Sequence, residues 1–239
     1  MTGEQMDMKS NFKKDFFWYF LATMLPMFLG FIKTPVFTRH FNTEDFGQLG
    51  IVTISFSFLG MVLFSWISSC LWRYYRSYKT SQGLGILYAN LLLLFAISLM
   101  LLSVVAIGWF VTASKDLVKE LIFYSFFQLI FNQLFLAYMV VVRLNGKSKY
   151  YTVFQAVRAF LSLTLSLIFV FYFDLGIGAL ISSLVLVDLA SLILLIWLNP
   201  AEIKFQFNKI NKSTLNELLQ YGSLGLILNV SLLIVSFSD

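Results

Sequence analysis

The chain has 239 residues, of which 59% are hydrophobic and only 12% charged, with a formal net charge of +5. Soluble domains carry about a quarter charged residues, so this composition, with a mean hydropathy of +0.82, excludes a water-soluble globular domain and points to a membrane protein. Aromatic residues make up 18%, with 27 Phe, which suits helices that face lipid tails and place rings near the headgroups. The single cysteine, Cys70, lies in an apolar run and leaves neither a disulfide framework nor a thiolate metal site.

A bilayer core of about 30 Å needs about 20 helical residues. Apolar runs of that length recur at 16–37, 46–72, 84–112, 121–142, 150–173, 177–198 and 217–238. None shows the ten-residue alternation of a membrane barrel. The fold class expected is therefore all-α, a polytopic membrane bundle of about seven helices. The first run is as long as a full span and lacks a small-residue cleavage site after it, so it reads as a retained helix and not as a cleaved leader.

In the first run Thr23, Pro26, Gly30 and Lys33 share one helical face. Pro26 leaves the carbonyl of Ala22 without its usual donor, and a bend is expected there. Lys33 lies about 6 Å from the end of the helix. It either snorkels to the headgroups or lines a cavity and attracts an anion. A polar island, Thr38 to Asp45, then separates the first run from the second. Asn42 or Thr43 is placed to cap the second helix, Glu44 and Asp45 sit at its positive end, and Arg39 sits near the end of the first, where a cation is favoured.

The fourth run carries Ser125, Gln128 and Asn132 on one face, and the fifth carries Tyr151, Gln155, Arg158, Ser162 and Ser166. Such stripes serve either as helix–helix glue or as the lining of a substrate path. Arg158 precedes Phe173 by fifteen residues and Asp188 follows it by fifteen. In a hairpin that turns near 173 they reach the same depth, about 22 Å from the turn, where they can pair as a structural ion pair, the alternative being that Arg158 faces a hydrated cavity. The fifth and sixth runs are joined by only Asp174, Leu175 and Gly176. The segment Asn199–Thr214 reads as a linker between two halves.

Lys and Arg alternate between connections. One side holds Lys9, Lys13, Lys14, Arg73, Arg76, Lys79, Arg143, Lys147, Lys149, Lys204, Lys209 and Lys212. The other holds only Arg39, Lys115 and Lys119. The positive-inside rule then places the N-terminus in the cytoplasm. The basic balance reflects topology and contact with anionic lipids and gives no case for nucleic acid. A phosphate-binding Gly-rich loop and a zinc-type His pair are both missing, and the lone His40 has no carboxylate motif beside it. Neither an enzyme, a metal nor a cofactor is expected.

The run PVFTRHFNTEDFGQLGIVTISFSFLG, with Thr38, Arg39, Glu44, Asp45, Phe46 and Gly47, resembles the first-to-second span junction of the polysaccharide (O-antigen) flippases. These are Wzx-like members of the multidrug/oligosaccharidyl-lipid/polysaccharide exporter superfamily. Arg73 to Arg76, the stretch RLNGKSKYYTVFQAVRAF, Gly176 with Gly178, and a Tyr-Gly start to the seventh run agree with it. Asp239 falls where the family has an Asp followed by Arg. The resemblance implies two six-helix lobes around a central cavity that moves undecaprenyl-pyrophosphate-linked oligosaccharide across the bacterial inner membrane. Residues 1–198 would form the first lobe, 199–216 a cytoplasmic linker and 217–239 the start of a second, truncated lobe. The implied partners are the lipid-linked substrate, anionic lipids, and a glycan polymerase with other assembly proteins. Lys33, Arg158, Asp188, Gln128, Asn132 and Gln155 become the cavity candidates. A cation-coupled small-molecule exporter of the same fold would want an acidic residue in the first span, and none lies between Phe16 and Phe37. A membrane-embedded glycan-modifying enzyme would want large outer loops or interfacial His and carboxylate groups, which the sequence does not show.

Overall fold

The computed structural model describes residues 3–81, 83–198 and 210–238. Seven helices follow in order: α1 (Gly3–Thr38), α2 (Thr43–Thr80), α3 (Leu84–Thr112), α4 (Asp116–Leu144), α5 (Ser148–Leu167), α6 (Ala179–Leu198) and α7 (Lys212–Ser238). Among the described residues there is no strand. Among the described residues six helices are long and apolar enough to cross a membrane, beginning with residues 16–38 of α1 and ending with α6. The seventh run is helical as α7. Asp239 and most of the expected linker lie outside the described residues.

Several helices outlast their apolar runs. The second run was expected to end at 72, yet α2 continues to Thr80, because a charge marks the edge of the bilayer but does not break a helix. Arg, Tyr and Lys keep the backbone ladder intact until Ser81, whose N–H closes on Ser77 O, and Gly83, whose N–H closes on Tyr78 O. At its start Asn42 Oδ1 accepts from Asp45 N at 2.7 Å. Asn42 is therefore the cap, and Thr43 is the first helical residue. The helix α1 runs without interruption through Pro26 and Pro35. The hydroxyls of Thr23, Thr34 and Thr38 donate back to the carbonyls of Tyr19, Gly30 and Thr34.

The fifth helix widens into one π-type turn at Ile168–Tyr172 before the short turn foreseen at 174–176. Asp174 (φ 51°) and Gly176 (φ 66°) take the left-handed backbone that reverses the chain so tightly. This hairpin sets α5 beside α6 and fixes the relative depth of their side chains.

The fourth helix is the hub, packed on α2, α3, α5 and α6. The first leans on α5, and α7 lies along α2 and touches α3. Ring contacts knit α2 to α3, with Phe64 and Phe95 centroids 4.8 Å apart and Phe56 and Trp109 6.0 Å apart. In lipid, apolar area alone does not drive helices together, so close fit and buried polar links carry the association. The exposed faces of α1 and α3, with Phe28, Phe31, Met100 and Val104, are the surfaces left for lipid. Because α1 leans on α5, a cleft opens between α1 and α2, floored by α4 and α6.

The polar island joins helices at one end of the bundle. Lys115 Nζ reaches Glu44 Oε1 at 2.5 Å across the α1–α2 and α3–α4 connections. Both side chains are mostly exposed, so water and salt screen the pair and Glu44→Gln is expected to leave the melting temperature almost unchanged. A melting curve that moves less still in high salt is the check. The other end carries the basic connections.

Candidate substrate cavity

The cleft between α1, α2, α4 and α6 encloses about 480 Å³. Its polar lining comes from Lys33 and Thr34 of α1, Thr53 and Ser57 of α2, and Ser125, Gln128, Asn132 and Gln133 of α4. A second cavity of about 240 Å³ lies between α1, α5 and α6, lined by Pro26, Gly30, Lys33, Gln155, Arg158 and Ser162 among others. Lys33 belongs to both. The α1 stripe and the α5 stripe thus face one another across the smaller space, and the α4 stripe faces the larger.

Of the two readings of Lys33, the structure shows the side chain half-buried against the cavities, its Nζ 5.8 Å from the Phe37 ring centroid. Among the described residues no carboxylate pairs with it. The ammonium is compact and strongly hydrated, so at this depth it needs either cavity water or an anion.

Arg158 and Asp188 meet, as their equal depth allows. Arg158 Nε donates to Asp188 Oδ1 at 2.6 Å, and Gln128 Nε2 donates to Oδ2 at 3.3 Å. The carboxylate is fully buried, whereas the Arg158 side chain keeps 17% of its surface exposed and its guanidinium stands 4.7 Å from the Phe135 ring centroid. One carboxylate therefore ties α4, α5 and α6 together, and the arginine edges the smaller cavity. Paired in this way, two charges remain at a depth where either one alone would cost several kcal/mol, on the order of 3 or more.

The remaining candidates divide. Asn132 lines the larger cavity, and its Oδ1 is buried without a hydrogen-bond partner. Gln155 lines the smaller one and donates to Tyr151 Oη at 3.4 Å. Among the junction residues only Phe46 reaches the cavity wall. Thr38 bonds its own helix, Arg39 is exposed, Asp45 engages the cap through its backbone, and Gly47 faces open space. The junction is thus an assembly of helix ends.

Two features escaped the sequence reading. Thr53, Ser57, Ser65 and Ser68 form a stripe on α2 at spacings of four, eight and three, a visible helical period in a run that looked apolar. Ser57, Gln133 and Leu136 also line a third cavity of about 400 Å³, which ends at Arg143 and Tyr151. The three spaces thus share walls from Lys33 to the basic end. In the sequence Arg143 marks orientation and opens the stretch that resembles the family, and neither reading places it at a cavity.

The fold is found in known transporters. A crystal structure of a MATE mutant superposes with a TM-score of 0.66 at 13% identity, covering 94% of this chain and 55% of that one. A MOP superfamily transporter from Pyrococcus furiosus, whose binding pocket is described as reversed in polarity, gives 0.63 at 15% identity over 94% and 54%. A mutant of the Vibrio cholerae MATE transporter VcmN gives 0.58 at 18% identity over 89% and 55%. The chain therefore spans about half the length of the solved structures that it matches. No curated protein matches it. The sequence profile of the polysaccharide biosynthesis protein family matches residues 12–239, nearly the whole chain including all six membrane-crossing helices, and the chain belongs to that family.

Proposed function

We propose that this chain forms the N-terminal lobe of a flippase that moves a lipid-linked oligosaccharide, an undecaprenyl-pyrophosphate-linked repeat unit, across the bacterial inner membrane by alternating access. Residues 1–198 are the lobe, 199–216 the inter-lobe linker and 217–239 the start of the second lobe. The basic end faces the cytoplasm, where it meets anionic lipids, and a glycan polymerase acts on the product at the other face. The observation that carries the reading is Lys33, a cation without a carboxylate partner among the described residues, shared by two cavities with polar walls. A diphosphate linker is the anion that such a cavity would attract, while Gln128, Asn132 and Gln155 offer amides to sugar hydroxyls. A cation-coupled exporter is less well served, because the first helix offers a cation where it would need an acid.

Lys33→Gln in the full reading frame is expected to lower surface polysaccharide at least tenfold while protein level holds, with lipid-linked repeat units accumulating on the cytoplasmic face. Lys33→Arg keeps the charge and retains most of the export. Unchanged export by Lys33→Gln would overturn the assignment.

A further inference from the structure

We infer that Arg143 forms a second anion site, at the basic end of the joined cavities, which receives the phosphoryl group of a membrane lipid before it reaches Lys33. This rests on the flippase reading and adds a residue and a station to it. The guanidinium carbon stands 5.2 Å from the Tyr19 ring centroid, 4.9 Å from Trp72 and 4.8 Å from Tyr151. Those rings come from α1, α2 and α5, so three helices converge on one side chain of α4. Arg143 Nε is buried and has no hydrogen-bond partner. Among the described residues no carboxylate pairs with it.

Position at the last turn of α4 accounts for a cation there, since carbonyls gather at a helix C-terminus. It does not account for three rings around the cation or for an N–H left without an acceptor. Aromatic contacts hold a guanidinium through its faces and leave its in-plane N–H fork for a planar or tetrahedral oxyanion. The turn behind it is fixed: Asn145 Oδ1 accepts from Tyr75 Oη and from Lys79 Nζ, both at 2.8 Å. In front of Arg143 lies the cavity that it shares with Ser57, Ser68 and Gln133, whose other members open toward Lys33. An anion moving from Arg143 to Lys33 would pass along the α2 hydroxyl stripe and the α4 amides. Over the fifteen residues of α4 from Gln128 to Arg143 that path is about 22 Å, on the scale of the bilayer core.

The test uses the full chain in phosphatidylcholine nanodiscs, titrated with farnesyl diphosphate and followed by tryptophan fluorescence, for which Trp72 is the reporter in the ring cage. Farnesol should give no response. Equal affinity for inorganic pyrophosphate would assign the site to the free diphosphate, and tighter binding of farnesyl diphosphate to the lipid-borne one. Arg143→Gln is expected to weaken binding at least tenfold, Arg143→Lys to recover part of it, and Trp72→Phe to remove the signal. With unaltered protein, farnesyl diphosphate should protect Arg143 from phenylglyoxal, read by mass spectrometry. Equal labelling with and without the diphosphate, or equal affinity in Arg143→Gln, overturns the site even if Lys33→Gln blocks export. Loss of binding in Arg143→Gln beside normal export in Lys33→Gln would keep the site and remove the flippase reading.

Discussion

Asp188→Ala is expected to destabilise the purified protein by about 3–5 kcal/mol, seen as a lower melting temperature and a lower yield, because it strands Arg158 among buried groups without its counter-charge. The carboxylate receives Arg158 Nε and Gln128 Nε2 from two other helices, so its loss unties α4, α5 and α6 at one point. Arg158→Ala should cost a similar amount by leaving the carboxylate fully buried and held only by the weaker Gln128 contact. Exchanging the charges, with Arg158→Asp and Asp188→Arg together, should recover part of the loss, limited by the room at a site where Asp188 has no exposure. An apolar pair, Arg158→Met with Asp188→Leu, should recover most of the stability, since buried ion pairs are often no more stabilising than apolar residues of similar size. Export separates the roles: a stable apolar pair that still exports would confine Arg158 and Asp188 to holding the bundle. If Asp188→Ala melts with the unaltered protein, the pair contributes nothing.

Gly222→Leu is expected to lift α7 away from α2 and expose a cysteine that is otherwise sealed. The two helices run antiparallel here, with Cys70 Sγ 3.6 Å from Leu218 O, and Trp66 over Gly222 one turn along each helix. A Cβ at Gly222 would collide with Cε3 of the Trp66 indole. The indole has little freedom to yield, being buried and donating Nε1 to Leu63 O at 3.0 Å. Overpacking of this kind costs about 1–3 kcal/mol, enough to open the contact in a large fraction of molecules. Cys70 is fully buried, so a maleimide should label it slowly in the unaltered protein and many times faster in Gly222→Leu. Labelling at equal rates would mean that α7 tolerates the added side chain in place. The same contact sets how the start of the proposed second lobe meets the first, so export is expected to fall with it.

Much of the cavity was legible because helices in a bilayer obey few rules. The backbone must satisfy its own hydrogen bonds, which makes 3.6-residue spacing a reliable guide to which side chains share a face. Equal offsets from the hairpin turn put Arg158 and Asp188 within reach of one another, and the spacing from Pro26 to Lys33 showed which face of α1 lines the cavities. The α2 hydroxyls escaped because Thr and Ser return their hydrogen bonds to their own helix, as Thr53 does to Leu49 O and Ser57 to Thr53 O. They therefore blend into an apolar run. Arg143 escaped because its position in the chain already had a sufficient explanation, while the rings around it come from residues 71 to 124 positions distant or from the next helix.

By itself the sequence determined the bilayer as solvent, the number and order of the helices, the family, and the matching positions of Arg158 and Asp188 along their hairpin. Composition, period and chain length are local properties that survive any rearrangement of the bundle. Only the tertiary structure decided that α1 leans on α5 and so opens a cleft toward α2, that Lys33 belongs to two spaces at once, and that three rings close around Arg143. Those outcomes depend on which helix packs beside which, and lipid leaves that choice to close fit at a few contacts, such as Trp66 on Gly222. The polar junction at Thr38 to Gly47 shows the division plainly. Its residue order carries a resemblance to the family, and its geometry places those residues at helix ends, while the charges that face the cavities stand elsewhere, at Lys33 and Arg158 and at the far end at Arg143.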